Sequence, residues 1–301
     1  MLQHPNCKLN IGLRVVGKRA DGYHNIETLF YPVHALHDEL EIEPSDVFSF
    51  VQEGISVDCP PEKNLIVRCY QQMRARYPQI GNVKIRFRKH IPFGAGLGGG
   101  SSDAAHTALA LNELYRLGLS QSALAQEVSS LGADCPFFIY NTPCYAEGIG
   151  EQITPTNFSL HGMRLVLYKP DFGVSTREAY TGITLHPEHS GEESSAASDV
   201  YKRQSTREAY TGITLHPEHS GEMLQALLSG KSIKDIRDVL VNDFEQTIFP
   251  LYPEIARLKK QLLAAGAVYA SMSGSGSTVF GLFDSEKSVI IPANPLIDTI
   301  L

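Results

Sequence analysis

Cysteine is scarce and scattered in this sequence. The 301 residues contain five cysteines, and none of them forms a C-x-x-C pair. This spacing is typical neither of the disulfide framework of a small secreted domain nor of a zinc site. We therefore expect buried, reduced thiols at the five positions, which are Cys7, Cys59, Cys69, Cys135 and Cys144.

A basic surface and a long apolar run are also missing. Lysine and arginine number 26 against 33 aspartates and glutamates, a formal net charge of -7, whereas a nucleic-acid surface needs a basic stripe. The most basic segment, 84–90, alternates charged with apolar residues, which is typical of a strand with one wet face. The N-terminus lacks the features of a signal peptide, and no stretch reaches the length of a membrane span. We expect a cytoplasmic protein that binds neither nucleic acid nor membrane.

Hydrophobic residues make up 43% of the chain, enough for a sizeable core. Their periodicity predicts strands and helices mixed without regular alternation, which favours an α+β fold over a doubly wound sheet. The chain should open with a hairpin of 8–16 and 26–33. Further predicted strands are 83–87, 137–140, 164–168, 268–271 and 278–282. Predicted helices are 61–77, 101–117, 121–131, 224–228, 233–240 and 253–265.

One segment of the second half is duplicated. Residues 175–192 recur without a change at 205–222, whereas structural repeats diverge and come in threes or more. The stretch between the copies, 194–204, reads SSAASDVYKRQ and resembles the translation of an adapter used in sequencing libraries. We interpret about 30 residues, 193–222, as an artefact of gene assembly. Amplifying the gene again from source DNA tests this, because an intact duplicate would contradict it.

A glycine-rich loop, PFGAGLGGGSSD at Pro92–Asp103, lies between a predicted strand and a predicted helix. Glycine lets a backbone approach a phosphate closely, and the N-terminal end of a helix attracts anions. Ser101 and Ser102 could add hydroxyl donors and cap the helix. The alternative is a flexible turn before a capped helix, but three consecutive glycines carry an entropic cost that a turn alone does not require.

Two common phosphate loops do not fit this segment. Gly94, Gly96 and Gly99 satisfy G-x-G-x-x-G, yet a dinucleotide site also needs an acidic residue roughly twenty positions later, after a second strand. Glu113 and Glu127 both fall within predicted helices instead. A Walker loop needs G-K-[ST], and this loop has no lysine.

The loop resembles the phosphate loop of the GHMP kinases, the family of galactokinase, homoserine kinase and mevalonate kinase. Lys8–Leu13 (KLNIGL) resembles the first motif of that family, and Ser271–Thr278 (SMSGSGST) the third. The resemblance implies a two-domain α+β fold with the active site in the cleft between residues 1–155, which bind ATP, and residues 156–301. It implies a kinase that uses ATP and Mg²⁺, acting as a monomer or homodimer.

Within the family, the segment Arg19–His24 (RADGYH) narrows the substrate, together with Leu131–Phe137, Ala146–Gly150 and Asn242–Glu245. It resembles the members that phosphorylate the 2-hydroxyl of 4-diphosphocytidyl-2-C-methyl-D-erythritol, in non-mevalonate isoprenoid biosynthesis. The alternatives are a GHMP kinase for another small alcohol, such as homoserine or mevalonate, and an inactive nucleotide-binding homologue.

The resemblance implies a role for individual residues. The catalytic pair would be Lys8 and Asp134. Substrate would be bound by Asn10, Tyr23, His24, Thr176 and Tyr180, and the adenine region would be Lys63, Asn64 and Leu65. The phosphates of ATP would be bound by Pro92, Gly94, Gly96, Leu97, Gly98, Gly99, Gly100, Ser101 and Ser102. The second glycine loop, Ser273, Gly274, Ser275 and Gly276, would brace the first, and the metal ligands stay unassigned.

Several of these residues have a structural alternative. Asp134 could be a turn aspartate that bonds its own backbone, Lys8 a solvated strand residue, and Asn64 the start of a helix. Thr206 and Tyr210 of the second copy compete with Thr176 and Tyr180 of the first. The tail, 285–301, carries two prolines where the family continues with a helix and a last strand, so we expect it to be atypical.

Overall fold

A computed structural model of the chain describes residues 1–56, 59–174, 179–180, 224–285 and 291–301. The Thr176 substrate position and the stretch 193–222 therefore lie outside the described residues. The strands are β1 (Leu2–Gln3), β2 (Asn6–Lys18), β3 (His24–His37), β4 (Glu39–Pro44), β5 (Ser49–Gly54), β6 (Val83–Lys89), β7 (Cys144–Glu147), β8 (Gln152–Pro155), β9 (Met163–Tyr168), β10 (Tyr269–Met272), β11 (Val279–Asp284) and β12 (Ile297–Ile300). The helices are α1 (Leu65–Arg76), α2 (Gly99–Leu114), α3 (Gln121–Ser129), α4 (Cys135–Tyr140), α5 (Leu224–Leu228), α6 (Ile233–Ile236), α7 (Phe244–Leu251) and α8 (Pro253–Ala264).

The strands form three four-stranded sheets, with the orders β1-β4-β6-β5, β2-β3-β7-β8 and β10-β11-β9-β12. The predicted opening hairpin is β2 with β3, an antiparallel pair in which Lys8 lies opposite Pro32 and Asn10 opposite Phe30. Its register shifts between Ile11 and Leu13, where Gly12 adopts φ +67°. This bulge bends β2. Lys8 and Asn10 lie in the half of β2 that precedes the bulge.

Strand β6 shows how the alternating pattern works. Its apolar residues Val83, Ile85 and Phe87 are buried against helices α1 and α2, while Arg86 and Arg88 stay on the exposed face. There the two arginines pair with glutamates of β4 and β5. The predicted wet face is present, and helices α1 and α2 cover the opposite face of the sheet.

The third sheet packs against the hairpin. Leu9 and Ile11 of β2 belong to one apolar cluster with Leu165 of β9 and Phe280 of β11. Main-chain hydrogen bonds also link Leu13 with the segment before α7. The two halves of the chain are therefore joined along β2, and burying this apolar surface holds them together.

Helix α4 contradicts the sequence prediction of a strand at 137–140. Residues Cys135–Tyr140 are helical, with Pro136 in the first turn and Asn141 in the left-handed conformation at the C-terminal end. The run Phe137, Phe138 and Ile139 is buried on all sides, and a short apolar run of this kind fits a buried strand and a buried helix equally well. The proline at the helix start was the available signal.

Helix α2 begins at Gly99 rather than at the predicted Ser101, and ends at Leu114. Gly98 occupies the N-cap with φ +71°, and the described residues provide no side-chain cap there. The prediction that Ser101 or Ser102 caps the helix is therefore wrong. Both serines lie inside its first turn, because three glycines allow the chain to enter the helix two residues earlier.

The end of the chain is part of the third sheet. Strand β12 pairs with β9, and Asp298 accepts two hydrogen bonds of 2.7 Å from Arg164. The tail thus supplies an edge strand despite its two prolines. In the described ranges, no helix is long and apolar enough to cross a membrane.

Candidate active site

The glycine loop enters helix α2 with its backbone open to a cavity. Gly94, Gly96 and Gly98 have φ values of +62°, +73° and +71°, a conformation that favours glycine. The amide of Ser102 is the first to bond within the helix, at 2.9 Å from the Gly98 carbonyl. The preceding amides have no acceptor in the turn below them and can donate to an anion.

The second glycine loop braces the first. Ser273 Oγ donates to the Gly96 carbonyl at 2.9 Å and accepts from the Asn10 amide at 3.4 Å. The Thr278 amide donates to the Ala95 carbonyl at 3.3 Å. The conformation of the phosphate loop is therefore coupled to the C-terminal half of the chain.

Lys8 and Asp134 meet although 126 positions separate them. Lys8 Nζ lies 3.4 Å from Asp134 Oδ2, and the lysine side chain is 5% exposed against 30% for the aspartate. The same Nζ donates to Asn10 Oδ1 at 2.5 Å and lies 4.7 Å from the centre of the Phe30 ring. Asp134 precedes α4, and within the described chain its carboxylate caps no helix amide. The carboxylate therefore lies beside a fixed positive charge.

A cavity of about 680 Å³ connects these groups. It is lined by Lys8, Asp134 and residues of both glycine loops. All of the predicted site residues that the structure describes line it, except Ser102 and Ser273, which are wholly buried. The volume suits a ligand of nucleotide size.

Aromatic rings form one end of the cavity. His24 stacks on Tyr180 with ring centres 5.0 Å apart and an angle of 22°, and Tyr180 meets the edge of Phe244 at 4.7 Å. Tyr23 is 59% exposed, so its ring is available to a ligand. Burial, with Lys18 nearby, lowers the pKa of His24 and favours the neutral imidazole. Tyr180 belongs to the first copy of the duplicated segment, while Tyr210 lies outside the described residues.

The predicted adenine region also lines the cavity. Asn64 caps helix α1 by accepting from the Ile66 amide at 3.0 Å, and it donates to Gln52 at 3.2 Å. The alternative that Asn64 starts a helix therefore holds, because its side chain caps α1. The residue also lines the cavity. Lys63 and Leu65 line the cavity beside it.

Sequence reasoning missed a buried cluster of Asp38, Lys89 and Asp103, of which Lys89 and Asp103 line the cavity. Lys89 belongs to the basic segment 84–90, interpreted as a strand with one wet face, but it is 4% exposed. Alternate residues of a strand share one face, so Lys89 lies on the same face as buried Ile85 and Phe87. This alternation could have identified Lys89 as buried.

The described residues include oxygen donors that suit magnesium. In the described parts of the chain, no group of three or more histidine, cysteine, aspartate or glutamate side chains could hold a metal ion. Magnesium, however, is commonly held by one or two carboxylates together with substrate phosphates and water. The Asp134 carboxylate and the Ser101 hydroxyl, both in the cavity, fit that requirement.

Comparisons with known proteins give the following matches. The family model "GHMP kinases N terminal domain" matches residues 64–142, and "GHMP kinases C terminal" matches residues 223–291. The 4-diphosphocytidyl-2-C-methyl-D-erythritol kinase of Parabacteroides distasonis is 43% identical over 285 residues, covering 94% of this chain and 92% of the relative. The enzyme of that name from Bacteroides fragilis is 41% identical over 294 residues, covering 96% and 94%.

Solved structures agree. A crystal structure of 4-(cytidine 5'-diphospho)-2C-methyl-D-erythritol kinase superposes with a TM-score of 0.68 at 30% identity, covering 94% of this chain and 90% of that one. A mevalonate kinase superposes with a TM-score of 0.60 at 13% identity, covering 95% and 92%. At this identity, the similarity to the mevalonate kinase shows the fold alone.

Proposed function

The chain belongs to the GHMP kinases, and we propose that it transfers the γ-phosphoryl group of ATP to the 2-hydroxyl of 4-diphosphocytidyl-2-C-methyl-D-erythritol. One observation carries the proposal: the Lys8–Asp134 pair, 3.4 Å apart, shares a cavity with the phosphate loop. Relatives that bear the name of this kinase match nearly the whole chain, which supports this substrate over homoserine or mevalonate.

The reaction needs a proton acceptor beside the attacking hydroxyl. The Asp134 carboxylate accepts the proton as the substrate oxygen bonds to the γ-phosphorus, and ADP leaves with the electron pair of the broken P–O bond. The Lys8 ammonium lies 3.4 Å from that carboxylate and offsets negative charge that develops on the transferred group. Asn10 holds the Lys8 ammonium through its Oδ1 atom. Both members of the pair are present, so an inactive homologue is disfavoured.

The phosphate loop binds the nucleotide through backbone amides at the start of helix α2. Magnesium, when bound, neutralises phosphate charge and orients the γ-phosphoryl group. Ser101 and Asp134 are the residues that would hold it. Lys63, Asn64 and Leu65 would contact the base.

The cytidine end of the substrate would occupy the aromatic end of the cavity. A pyrimidine ring offers a face for stacking and an edge for hydrogen bonds, and Tyr23, His24 and Tyr180 supply both kinds of contact. Thr176 remains a proposed contact from the sequence alone.

The proposal is tested by measuring ADP release with 4-diphosphocytidyl-2-C-methyl-D-erythritol, mevalonate and homoserine in parallel. The full chain and a chain lacking residues 193–222 are both assayed. We expect turnover with the cytidine diphosphate derivative only. Turnover with mevalonate or homoserine instead would support another GHMP kinase, and no turnover by either chain would overturn the assignment.

Asp134→Asn tests the mechanism with little change of shape. We expect turnover to fall by at least about a hundredfold, because a general base of this kind contributes about 10² to 10⁴. Binding of a non-hydrolysable ATP analogue should stay close to that of the unchanged protein. Asp46→Asn, at an exposed position, is the matched control. Retained turnover in Asp134→Asn would show that this carboxylate is not the base.

A further inference from the structure

Three charged side chains are almost completely buried beside the phosphate loop. Asp38 is 0% exposed, and Lys89 and Asp103 are each 4% exposed. Lys89 Nζ donates to Asp38 Oδ2 at 2.5 Å and to Asp103 Oδ2 at 2.8 Å. The mechanism above uses none of the three, which we call the Asp38–Lys89–Asp103 cluster.

The cluster ties together both ends of the phosphate loop. Asp38 Oδ1 accepts from the His90 amide at 2.6 Å and from the Ile91 amide at 2.8 Å. These two residues directly precede Pro92, where the loop begins. Asp103 is the last residue of the loop segment and lies in helix α2, five residues after the N-cap Gly98. Lys89 therefore bridges the entry of the loop, through Asp38, to its exit at Asp103.

The middle of the loop also rests on this cluster. A Cβ atom added at Gly99 would lie 3.0 Å from Lys89 Nζ and 2.9 Å from Ile91 Cγ2. Three glycines of the loop have positive φ values, and glycine loses more conformational freedom on ordering than any other residue. A loop of this composition binds tightly only if its conformation is held before the ligand arrives.

We propose that the Asp38–Lys89–Asp103 cluster is a positioning device that fixes the phosphate loop, so that Asp38 sets the affinity for the nucleotide without touching it. The inference rests on the proposed use of this loop for ATP. A buried ion pair is weak evidence for stability by itself. Its hydrogen bonds to the loop entry and its bridge to the loop exit give this pair a role at the site.

The two carboxylates of the cluster are not equivalent. Asp38 accepts three hydrogen bonds, two of them from the main chain of the loop entry. Asp103 accepts one from Lys89, and its Oδ1 atom is buried without a partner among the described residues. Burial raises the pKa of Asp103 well above its ordinary value, and Asp38 adds to this effect against the pull of Lys89. Asp103 is therefore the carboxylate whose negative charge matters less.

Matching amide substitutions separate the two positions. Asp38→Asn leaves an NH₂ group facing either the Lys89 ammonium or a main-chain amide, so a donor meets a donor. Asp103→Asn keeps an acceptor for Lys89 and removes a charge that burial disfavours. Lys89→Met removes the bridge, and Arg88→Met, at the exposed neighbour on the same strand, is its control.

The test measures the dissociation constant of a non-hydrolysable ATP analogue by calorimetry, with kcat and both KM values for the reaction. We expect Asp38→Asn and Lys89→Met to weaken analogue binding by about tenfold or more. The KM for the alcohol substrate should change by less than about twofold. Asp103→Asn, which keeps an acceptor for Lys89, should weaken analogue binding less than Asp38→Asn does, and Arg88→Met should bind like the unchanged protein. Thermal unfolding without nucleotide identifies variants that are merely destabilised.

The outcomes separate this inference from the proposed function. If the unchanged chain binds the ATP analogue but phosphorylates no alcohol, the function fails and the test of the cluster still stands. Should the single variants not fold, Asp38→Asn combined with Lys89→Met replaces them, because removing both partners of a buried pair costs less than removing one. Tight analogue binding by folded Asp38→Asn, or by the double variant, would overturn the proposal. Equal weakening by Asp103→Asn would do the same.

Discussion

Gly96 lies where the two glycine loops touch, and replacing it with alanine should separate them. An ideal Cβ at Gly96 would lie 2.0 Å from the Ser273 carbonyl oxygen and 3.0 Å from that of Gly276. At Gly94, two residues earlier, a Cβ would meet nothing within 4 Å among the described atoms. The φ values are similar, +73° and +62°. The pair therefore differs mainly in the space available for a methyl group.

The expected magnitudes follow from these distances. Placing alanine at positive φ costs about 1 kcal/mol at either position. At Gly96 the loops must also move apart by more than about 1 Å to restore an ordinary carbon–oxygen contact. This movement breaks the Ser273–Gly96 and Thr278–Ala95 hydrogen bonds, each worth about 1 kcal/mol. We expect losses of about 3 kcal/mol for Gly96→Ala and about 1 kcal/mol for Gly94→Ala.

Urea unfolding measures both losses. Nucleotide is left out because the Gly94 position faces the cavity, so a bound ligand would add its own contacts to the measured stability. Equal slopes of free energy against urea are needed for the comparison. Equal destabilisation of the two variants, or a greater loss in Gly94→Ala, would refute the reasoning. It would show that the loops do not depend on close contact at Gly96.

Two further predictions concern buried polar groups. Thr28 accepts from Asn10 Nδ2 at 3.1 Å and so orients the side-chain amide whose oxygen holds Lys8. Thr28→Val should lower kcat by about tenfold with the KM for ATP unchanged, and Thr28→Ser should keep the normal kcat. A Thr28→Val enzyme with normal kcat would exclude this role. Burial lowers the pKa of His106, with neighbouring histidines adding to the effect. As pH falls below about 6.5, His106 takes up a proton in the unfolded chain before it does so in the folded one, so the free energy of unfolding decreases. His106→Gln should reduce that decrease in melting experiments between about pH 7.5 and about pH 5.5, and an unchanged pH dependence would contradict it.

The family and the α+β fold predicted from the sequence are confirmed by the family models and by near full-length relatives. The phosphate loop could be predicted from the sequence because its geometry is local. Glycines followed by a helix predict an anion site without knowledge of the remaining fold. The meeting of Lys8 with Asp134 is different. No local pattern joins positions 126 residues apart, so this pair depended on the resemblance to a family.

The errors also have physical causes. At 137–140 the apolar run lacks a period because Cys135–Ile139 of helix α4 are all buried. Such a run fits a helix and a strand equally well, and the prediction of a strand was wrong. The start of helix α2 was placed at a serine because serine caps helices well, but Gly98 reaches the left-handed conformation that the loop requires. Lys89 was missed because a charged residue on a buried face is paired across the fold, and its partner Asp38 lies 51 positions away.

The duplicated segment is attached at both ends to the same strand. Within its first copy the Tyr180 ring stacks on His24, and after the second copy the Leu224 amide donates to Glu27 Oε2 at 3.0 Å. His24 and Glu27 are three residues apart on β3, a span of about 10 Å. Between Tyr180 and Leu224 lie 43 residues, 181–223, and removing 30 of them leaves 13. Thirteen residues reach such a span easily, and a shorter loop costs less closure entropy, so the chain without residues 193–222 can keep every described contact of the site.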